Sequence, residues 1–358
     1  MGNTSTTGEI PTDPPEFELD ETSSVSGGGG HGATTVVVLG TGGTIAGTSA
    51  QRGDNVGYTA GQTPVLALLE GLGHRAPVPP GLRIESEQVA QIDSKDMTHA
   101  LWRRLTERIA AHLVRPEVAA VLVTHGTDTL EETAYLVQRV LSPAKPVVFT
   151  AAMRPADALQ ADGPQNLLDA LAVAARPCGL RGVLLVLAGK VWAGAEARKV
   201  HPYRLDAFDA GDAGALAVVE EGRLRRFRDT AEVPVALGLQ VLARDIWPEV
   251  QIVSSHGGAD GRIVELLLES GVQGLVVACT GNGTVHQDLL AVLLRAQQQG
   301  VSVLRALRGG GGSIVCGAAE VLPSAGGLTA AQARVELLLR LLRPGSNCCC
   351  GCWVTGNG

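Results

Sequence analysis

The chain is expected to fold as a two-domain α/β protein, and three observations lead there. At 358 residues it exceeds one ordinary domain, and a hydrophobic content of 45% can fill a sizeable core. Aromatics contribute only 3%, so that core must be built from Val, Leu, Ile and Ala, the composition of parallel strands buried beneath helices. Apolar strand-like runs then alternate with helical patterns along the chain. The expected architecture has three parts: a larger N-terminal domain over residues 34–228, with a mixed β-sheet flanked by helices; a linker over 229–246; and a smaller C-terminal domain over 247–343, with a doubly wound parallel sheet.

In order, strands are expected at residues 36–39, 118–123, 146–151 and 183–188. Helices are expected at 96–114, started by Asp96 as its cap, and at 130–141 and 165–175. From Arg228 to Ile246 the pattern weakens, and Pro234, Gly238 and nearby Pro248 punctuate the linker. A second series follows, with strands at 250–254, 274–279 and 301–306 and helices at 262–270, 285–299 and 330–342. The sequence shows no internal repeat.

Charge and composition exclude several function classes. A formal net charge of −7 and a pI near 5.6 leave no global positive field for a phosphate backbone. The one basic run, from Arg223 to Arg228, reads as a solvated strand or linker, so nucleic acid is not an expected partner. No apolar run approaches the ~18 residues of a membrane span. Residues 1–33 are polar and lack an export signal, which suggests a disordered extension and a cytoplasmic location. Of the seven cysteines, Cys178, Cys279 and Cys316 read as small core residues. The other four lie in a tail over 344–358, expected to be disordered, where no second pair or histidine completes a metal site.

Chemistry concentrates where strands end. The run from Val36 to Leu39 leads into Gly40-Thr41-Gly42-Gly43-Thr44-Ile45-Ala46-Gly47, a turn that lets a ligand approach backbone N–H groups beside two hydroxyls. A dinucleotide fingerprint fits poorly, because Ile45 stands where the third glycine belongs and loop-like sequence follows instead of a helix. A second strand ends in Thr124-His125-Gly126-Thr127-Asp128-Thr129, and a third in Thr280-Gly281-Asn282-Gly283-Thr284. Each motif alone is explained by an ordinary helix cap or turn. In an open α/β sheet, however, ligands gather beyond the carboxyl ends of strands, so the Thr44 and Thr127 turns can share one site if their strands are neighbours.

The two threonine motifs resemble the signatures of the bacterial-type L-asparaginases. Further landmarks of that family occur in order at Gly57-Tyr58-Thr59, Asp93-Ser94-Lys95-Asp96-Met97, Ala152-Met153-Arg154-Pro155, Ala161-Asp162-Gly163-Pro164 and Gly281-Asn282-Gly283. The resemblance spans about Thr35 to Arg343 and implies cofactor-free hydrolysis of the side-chain amide of L-asparagine to L-aspartate and ammonia. It casts Thr44 as the nucleophile that forms an acyl-enzyme, with Tyr58 hydrogen-bonded to it. Thr127, Asp128 and Lys199 match a second triad that handles water and protons. Lysine is ordinarily protonated at neutral pH, so Lys199 acts either as a base with a lowered pKa or as the charge partner of Asp128. Asp128 matches the group that grips the substrate ammonium, Ser94 the hydroxyl that receives its carboxylate, and backbone N–H groups near Gly43 and Thr127 the oxyanion donors. Asn282 matches an asparagine that in some relatives reaches into a neighbouring subunit, which implies a homotetramer of intimate dimers. Glu320 is the candidate for the acidic residue contributed across that interface. Lys95 stands where several relatives carry glutamine, which bears on tolerance of glutamine as substrate.

Three rival readings differ in what they require. A hydrolase triad built on His125 and Asp128 needs a serine nucleophile elbow, Gly-x-Ser-x-Gly, which the sequence lacks. A glutaminase-asparaginase of broader specificity uses the same residues, and supply of ammonia to a transamidation partner would need an added tRNA-binding domain. A non-catalytic amino-acid-binding relative has no need to keep Thr44, Thr127, Asp128 and Lys199 together.

Overall fold

The computed structural model describes residues 34–51, 53–73, 82–175, 179–230, 235–309, 311–317 and 321–343. The expected N-terminal extension and Cys-rich tail, with Cys178 and Glu320, lie outside the described residues. In chain order, the first half contains β1 (Thr34–Gly42), β2 (Thr48–Ser49), β3 (Tyr58–Thr59), α1 (Val65–Gly73), β4 (Leu82–Ile92), α2 (His99–Leu113), β5 (Val118–Thr124), α3 (Leu130–Leu141), β6 (Val147–Thr150) and α4 (Gly163–Ala175). It continues with β7 (Val183–Leu187), β8 (Lys190–Ala193), β9 (Arg198–Lys199), β10 (Phe208–Asp209), β11 (Ala217–Glu220) and β12 (Arg223–Arg226). The second half comprises β13 (Val250–Ser254), α5 (Arg262–Glu269), β14 (Gly274–Cys279), α6 (Gln287–Gln298), β15 (Ser302–Leu307), β16 (Ser324–Thr329) and α7 (Ala330–Leu342).

The N-terminal sheet has the order β12-β11-β8-β7-β6-β5-β1-β4 and is mixed. Strands β4, β1, β5, β6 and β7 run parallel, whereas β8, β11 and β12 are added antiparallel. Helices cover both faces of its parallel part, so Val36, Val37, Val38 and Leu39 are all buried and read as one uninterrupted apolar run. Strand β1 lies between β4 and β5, because the chain leaves β1 for β4 on one side and then crosses to β5 on the other. Such a reversal opens a crevice at the carboxyl ends of the strands.

The smaller C-terminal sheet is parallel throughout, in the order β13-β14-β15-β16. Its two faces are covered differently. Leu289, Leu293 and Ala296 of α6 pack with Leu275 and Val277 on one face, whereas Leu337 and Leu338 of α7 join Val276 and Leu304 on the other. Helix α7 also meets α3, so one apolar cluster runs continuously from Leu136 and Val140 to Leu339 and Leu342.

Several local features differ from the sequence expectation. Helix α2 starts at His99 with Thr98 as its cap, because Ser94–Asp96 forms a separate 3-10 turn capped by Asp93 and Met97 is extended. Helix α1 and strand β4 were not anticipated. After β7, Ala188 takes φ 50° and the chain doubles back into the antiparallel strand β8, which the sequence reading did not include. Cys316 is exposed, so it is no core residue, whereas Cys279 is buried as expected. The basic run forms the edge strand β12, with Arg225 paired to Glu220 and Arg226 to Asp229.

Candidate active site

Three strand ends meet beyond the crevice. Gly42 and Gly43 hold φ of 99° and 80°, a backbone region that only glycine enters freely. A Cβ on Gly43 would stand 2.4 Å from the Gly126 backbone, and one on Gly126 would stand 2.5 Å from Ser94 Oγ. The turns after β1 and β5 are therefore packed backbone against backbone at Gly43 and Gly126, and the Ser94 side chain from the turn after β4 closes against Gly126. Two further bonds fix this junction: Thr41 Oγ1 donates to the Thr124 carbonyl at 2.9 Å, and the Gly43 N–H donates to the Ile92 carbonyl at 2.8 Å. The Gly43 N–H is thus engaged with that carbonyl in this structure.

Thr44 begins a short 3-10 turn and is largely buried. Its Oγ1 lies 2.7 Å from the Tyr58 hydroxyl. The β2–β3 hairpin folds Tyr58 back over the turn, pairing Ser49 with Tyr58 and Thr48 with Thr59. Gly47 is required for this closure, since a Cβ there would meet the Tyr58 ring at 2.8 Å. Asp54 shapes the hairpin tip by accepting the N–H groups of Val56 and Gly57 at 2.9 and 2.8 Å, bonds that hold its carboxyl below the ordinary range.

Thr127 and Asp128 leave β5 on the neighbouring turn. Lys199 Nζ donates to Thr127 Oγ1 at 2.9 Å and to Asp128 Oδ1 at 2.6 Å. The lysine side chain is 19% exposed and that of Asp128 54%, so the carboxylate faces open space with its amine partner behind it. Ser94 Oγ accepts the Asp128 N–H at 3.2 Å, and the Ser94 carbonyl accepts Thr129 Oγ1 at 2.8 Å. Because the Ser94 hydroxyl accepts that bond, its hydrogen remains to donate elsewhere.

Asn282 does not join this group within its own chain. It stands on an exposed turn, where its amide exchanges two hydrogen bonds with the Val315 backbone at 2.9 and 2.8 Å. Lys95 pairs with Asp93 and Asp96 at 2.8 and 3.1 Å. Burial drives the pKa of His125 down to about 4, and its Nδ1 lies 2.7 Å from the Gly126 carbonyl. A neutral, enclosed imidazole turned to the backbone is a poor general base, which removes the His125 triad.

One participant has no counterpart in the sequence reading. Glu131, on the first turn of α3, accepts the Lys199 backbone N–H at 2.7 Å and Thr329 Oγ1 at 3.1 Å. An acidic residue there ordinarily complements the helix dipole, so the sequence signal is ambiguous.

Both halves of the chain resemble known proteins. Residues 35–232 match the family described as Asparaginase, N-terminal, and residues 249–347 match the Glutaminase/Asparaginase C-terminal domain. The chain belongs to the asparaginase family. Among similar asparaginases, the Glutaminase-asparaginase of Pseudomonas fluorescens biotype A is 31% identical over 287 residues, covering 80% of this chain and 78% of that protein. The Probable L-asparaginase periplasmic of Haemophilus influenzae is 34% identical over 275 residues, or 76% and 77% of the two chains. The crystal structure of a probable cytoplasmic L-asparaginase from Campylobacter jejuni superposes with a TM-score of 0.81 at 32% identity, covering 88% of this chain and 97% of that one. The asparaginase resemblance of the threonine motifs thus extends through both halves of the fold, and the enzyme class is asparaginase. Among the described residues, no helix is long and apolar enough to cross a membrane.

Proposed function

We propose that this asparaginase hydrolyses the side-chain amide of L-asparagine to L-aspartate and ammonia through an acyl-enzyme on Thr44. The observation that carries the proposal is the meeting of two hydroxyl networks, Thr44 with Tyr58 and Thr127 with Lys199 and Asp128, on turns that touch at Gly43 and Gly126. Thr44 Oγ1 attacks the amide carbon while Tyr58 takes up or redirects its proton. The tetrahedral oxyanion is met by backbone N–H groups, for which we assign Thr44 and Thr127 in place of Gly43. Collapse releases ammonia, which carries away a proton, and leaves an aspartyl ester. Water held by Thr127 then attacks the ester, freeing aspartate and restoring the Thr44 hydroxyl. Lys199, donating to both Thr127 and Asp128, acts in this scheme as a charge partner that orients them. Asp128 grips the substrate ammonium, and the spare Ser94 hydrogen meets its α-carboxylate.

Broader glutaminase-asparaginase specificity is a second reading, favoured by the name of the Pseudomonas relative. Two further elements belong to the proposal. One is a cytoplasmic location, supported by the description of the Campylobacter structure; the Haemophilus relative is called periplasmic, so cell fractionation decides. The other is a homotetramer in which the Asn282 turn completes a neighbour's site, supported by the exposure of that turn.

Ammonia release by the purified protein tests the reading. Release from asparagine is expected to exceed that from glutamine, and Thr44→Ala is expected to lower turnover at least ~1,000-fold while melting like the native chain. Comparable rates on both amides would establish the broader specificity, and amino-acid binding without ammonia release would sink the enzymatic reading.

A further inference from the structure

We propose that Glu131 is a positioning residue that holds the Lys199 backbone so that its amine spans Thr127 and Asp128. This rests on the reading of that triad given above. Lys199 sits on β9, a strand of two residues that pairs, among the described residues, with β10 alone, which is a slender support for a side chain that must meet two partners. Further support comes from the start of α3. The segment from Thr127 to Glu131 grips the lysine at both ends: Thr127 and Asp128 accept from its amine at 2.9 and 2.6 Å, and Glu131 Oε2 accepts its main-chain N–H at 2.7 Å. The turn leading into α3, with the first turn of that helix, therefore holds both the root and the tip of Lys199.

The other carboxylate oxygen ties the same unit to α7. Glu131 Oε1 accepts Thr329 Oγ1 at 3.1 Å. Thr329 caps α7 in a reciprocal box with Gln332, whose amide donates to the carbonyls of Ala195 and Ala197 at 3.3 and 3.1 Å. The chain entering β9 is thus held by the start of α7 through Gln332 as well as through Glu131. Two donors converge on the Glu131 side chain, and an ionised carboxylate accepts both without offering a competing proton. Desolvation raises the carboxyl pKa, while these bonds and the charges of Arg198 and Lys199 oppose the rise.

Length and charge can be separated by substitution. Glu131→Gln keeps the reach, presenting its carbonyl to the Lys199 N–H and its amide hydrogens to Thr329 Oγ1. Glu131→Asp keeps the charge and loses one methylene of reach. Steady-state kinetics on asparagine are expected to give the Gln variant a kcat within ~3-fold of native, and the Asp variant a loss of ~10- to 100-fold, the scale of a misplacement of about 1 Å. Thermal melting accompanies each variant, and Glu131→Ala replaces Glu131→Asp if the shorter acid fails to fold. A kcat loss that tracks lowered melting equally in both variants overturns the proposal. So does native turnover in the Asp variant, or a Gln variant impaired as much as Asp. Lys199→Ala separates the two levels: native turnover there refutes the triad reading and this role with it, whereas an impaired Lys199→Ala beside a native-like Asp variant refutes the role of Glu131 alone.

Discussion

His125 occupies the centre of the catalytic-looking motif and is the clearest residue whose environment decides against chemistry. Burial lowers its folded pKa from 6.5 to about 4, with the bond to Gly126 opposing. The unfolded chain takes up this proton near pH 6.5 and the folded chain only near pH 4. Between those values the unfolded state binds more protons, and stability falls as the solution is acidified. His125→Asn retains a donor for the Gly126 carbonyl and removes the titration. Its loss of stability between pH 7 and 5 is expected to be smaller than native by about 2 kcal/mol, read from urea unfolding at each pH. Asparagine turnover is expected to survive the substitution, consistent with a histidine that serves packing against Phe149, 6.1 Å away between ring centroids.

At the scale of elements, α3 carries both the site and a largely enclosed carboxyl group. Glu132 lies 3.8 Å from Arg334 of α7. Burial raises its pKa from 4.5 to about 7, partly opposed by Arg334 and increased by Glu131. The folded state therefore holds this proton more tightly, and the associated stability is present below pH 4.5 and lost as pH rises to 7. Glu132→Gln is expected to stabilise the protein by about 1–3 kcal/mol at pH 8 and by much less at pH 5, measured by denaturant unfolding. Elements wholly enclosed between layers were legible in the sequence, because β1, β5, β6 and β7 need apolar residues on both faces. Strand β4 was not: Glu85 and Glu87 alternate along it and pair with Arg115 and Arg108, a pattern set by partners more than 20 residues away. The two-residue strands β2 and β3 are too short for any periodicity, so the return of Tyr58 to Thr44 was available only through the family resemblance. Glu131 escaped both routes, since its partners lie 68 and 198 positions along the chain.

Across the whole molecule, the two sheets are joined by α3 against α7. The junction contains Glu336, which accepts from Tyr135 at 3.0 Å, Arg139 at 2.8 and 3.2 Å, and Arg340 at 2.7 Å. Burial opposes its ionisation, yet Arg139 and Arg340 more than compensate and hold its carboxyl below the ordinary range. Glu336→Ala leaves the Arg139 charge enclosed without this partner and is expected to cost about 3–5 kcal/mol in urea unfolding. This junction holds Thr329, at the start of α7, against Glu131 beside Lys199, so the smaller sheet contributes to a site built mainly on the larger one. The central claim is that Thr44, at the end of β1, becomes acylated during turnover. Acid quenching during asparagine hydrolysis, followed by peptide mapping by tandem mass spectrometry, tests it directly. An aspartyl ester on Thr44 is the predicted result; an ester on Thr127 with Thr44 unmodified would contradict the account.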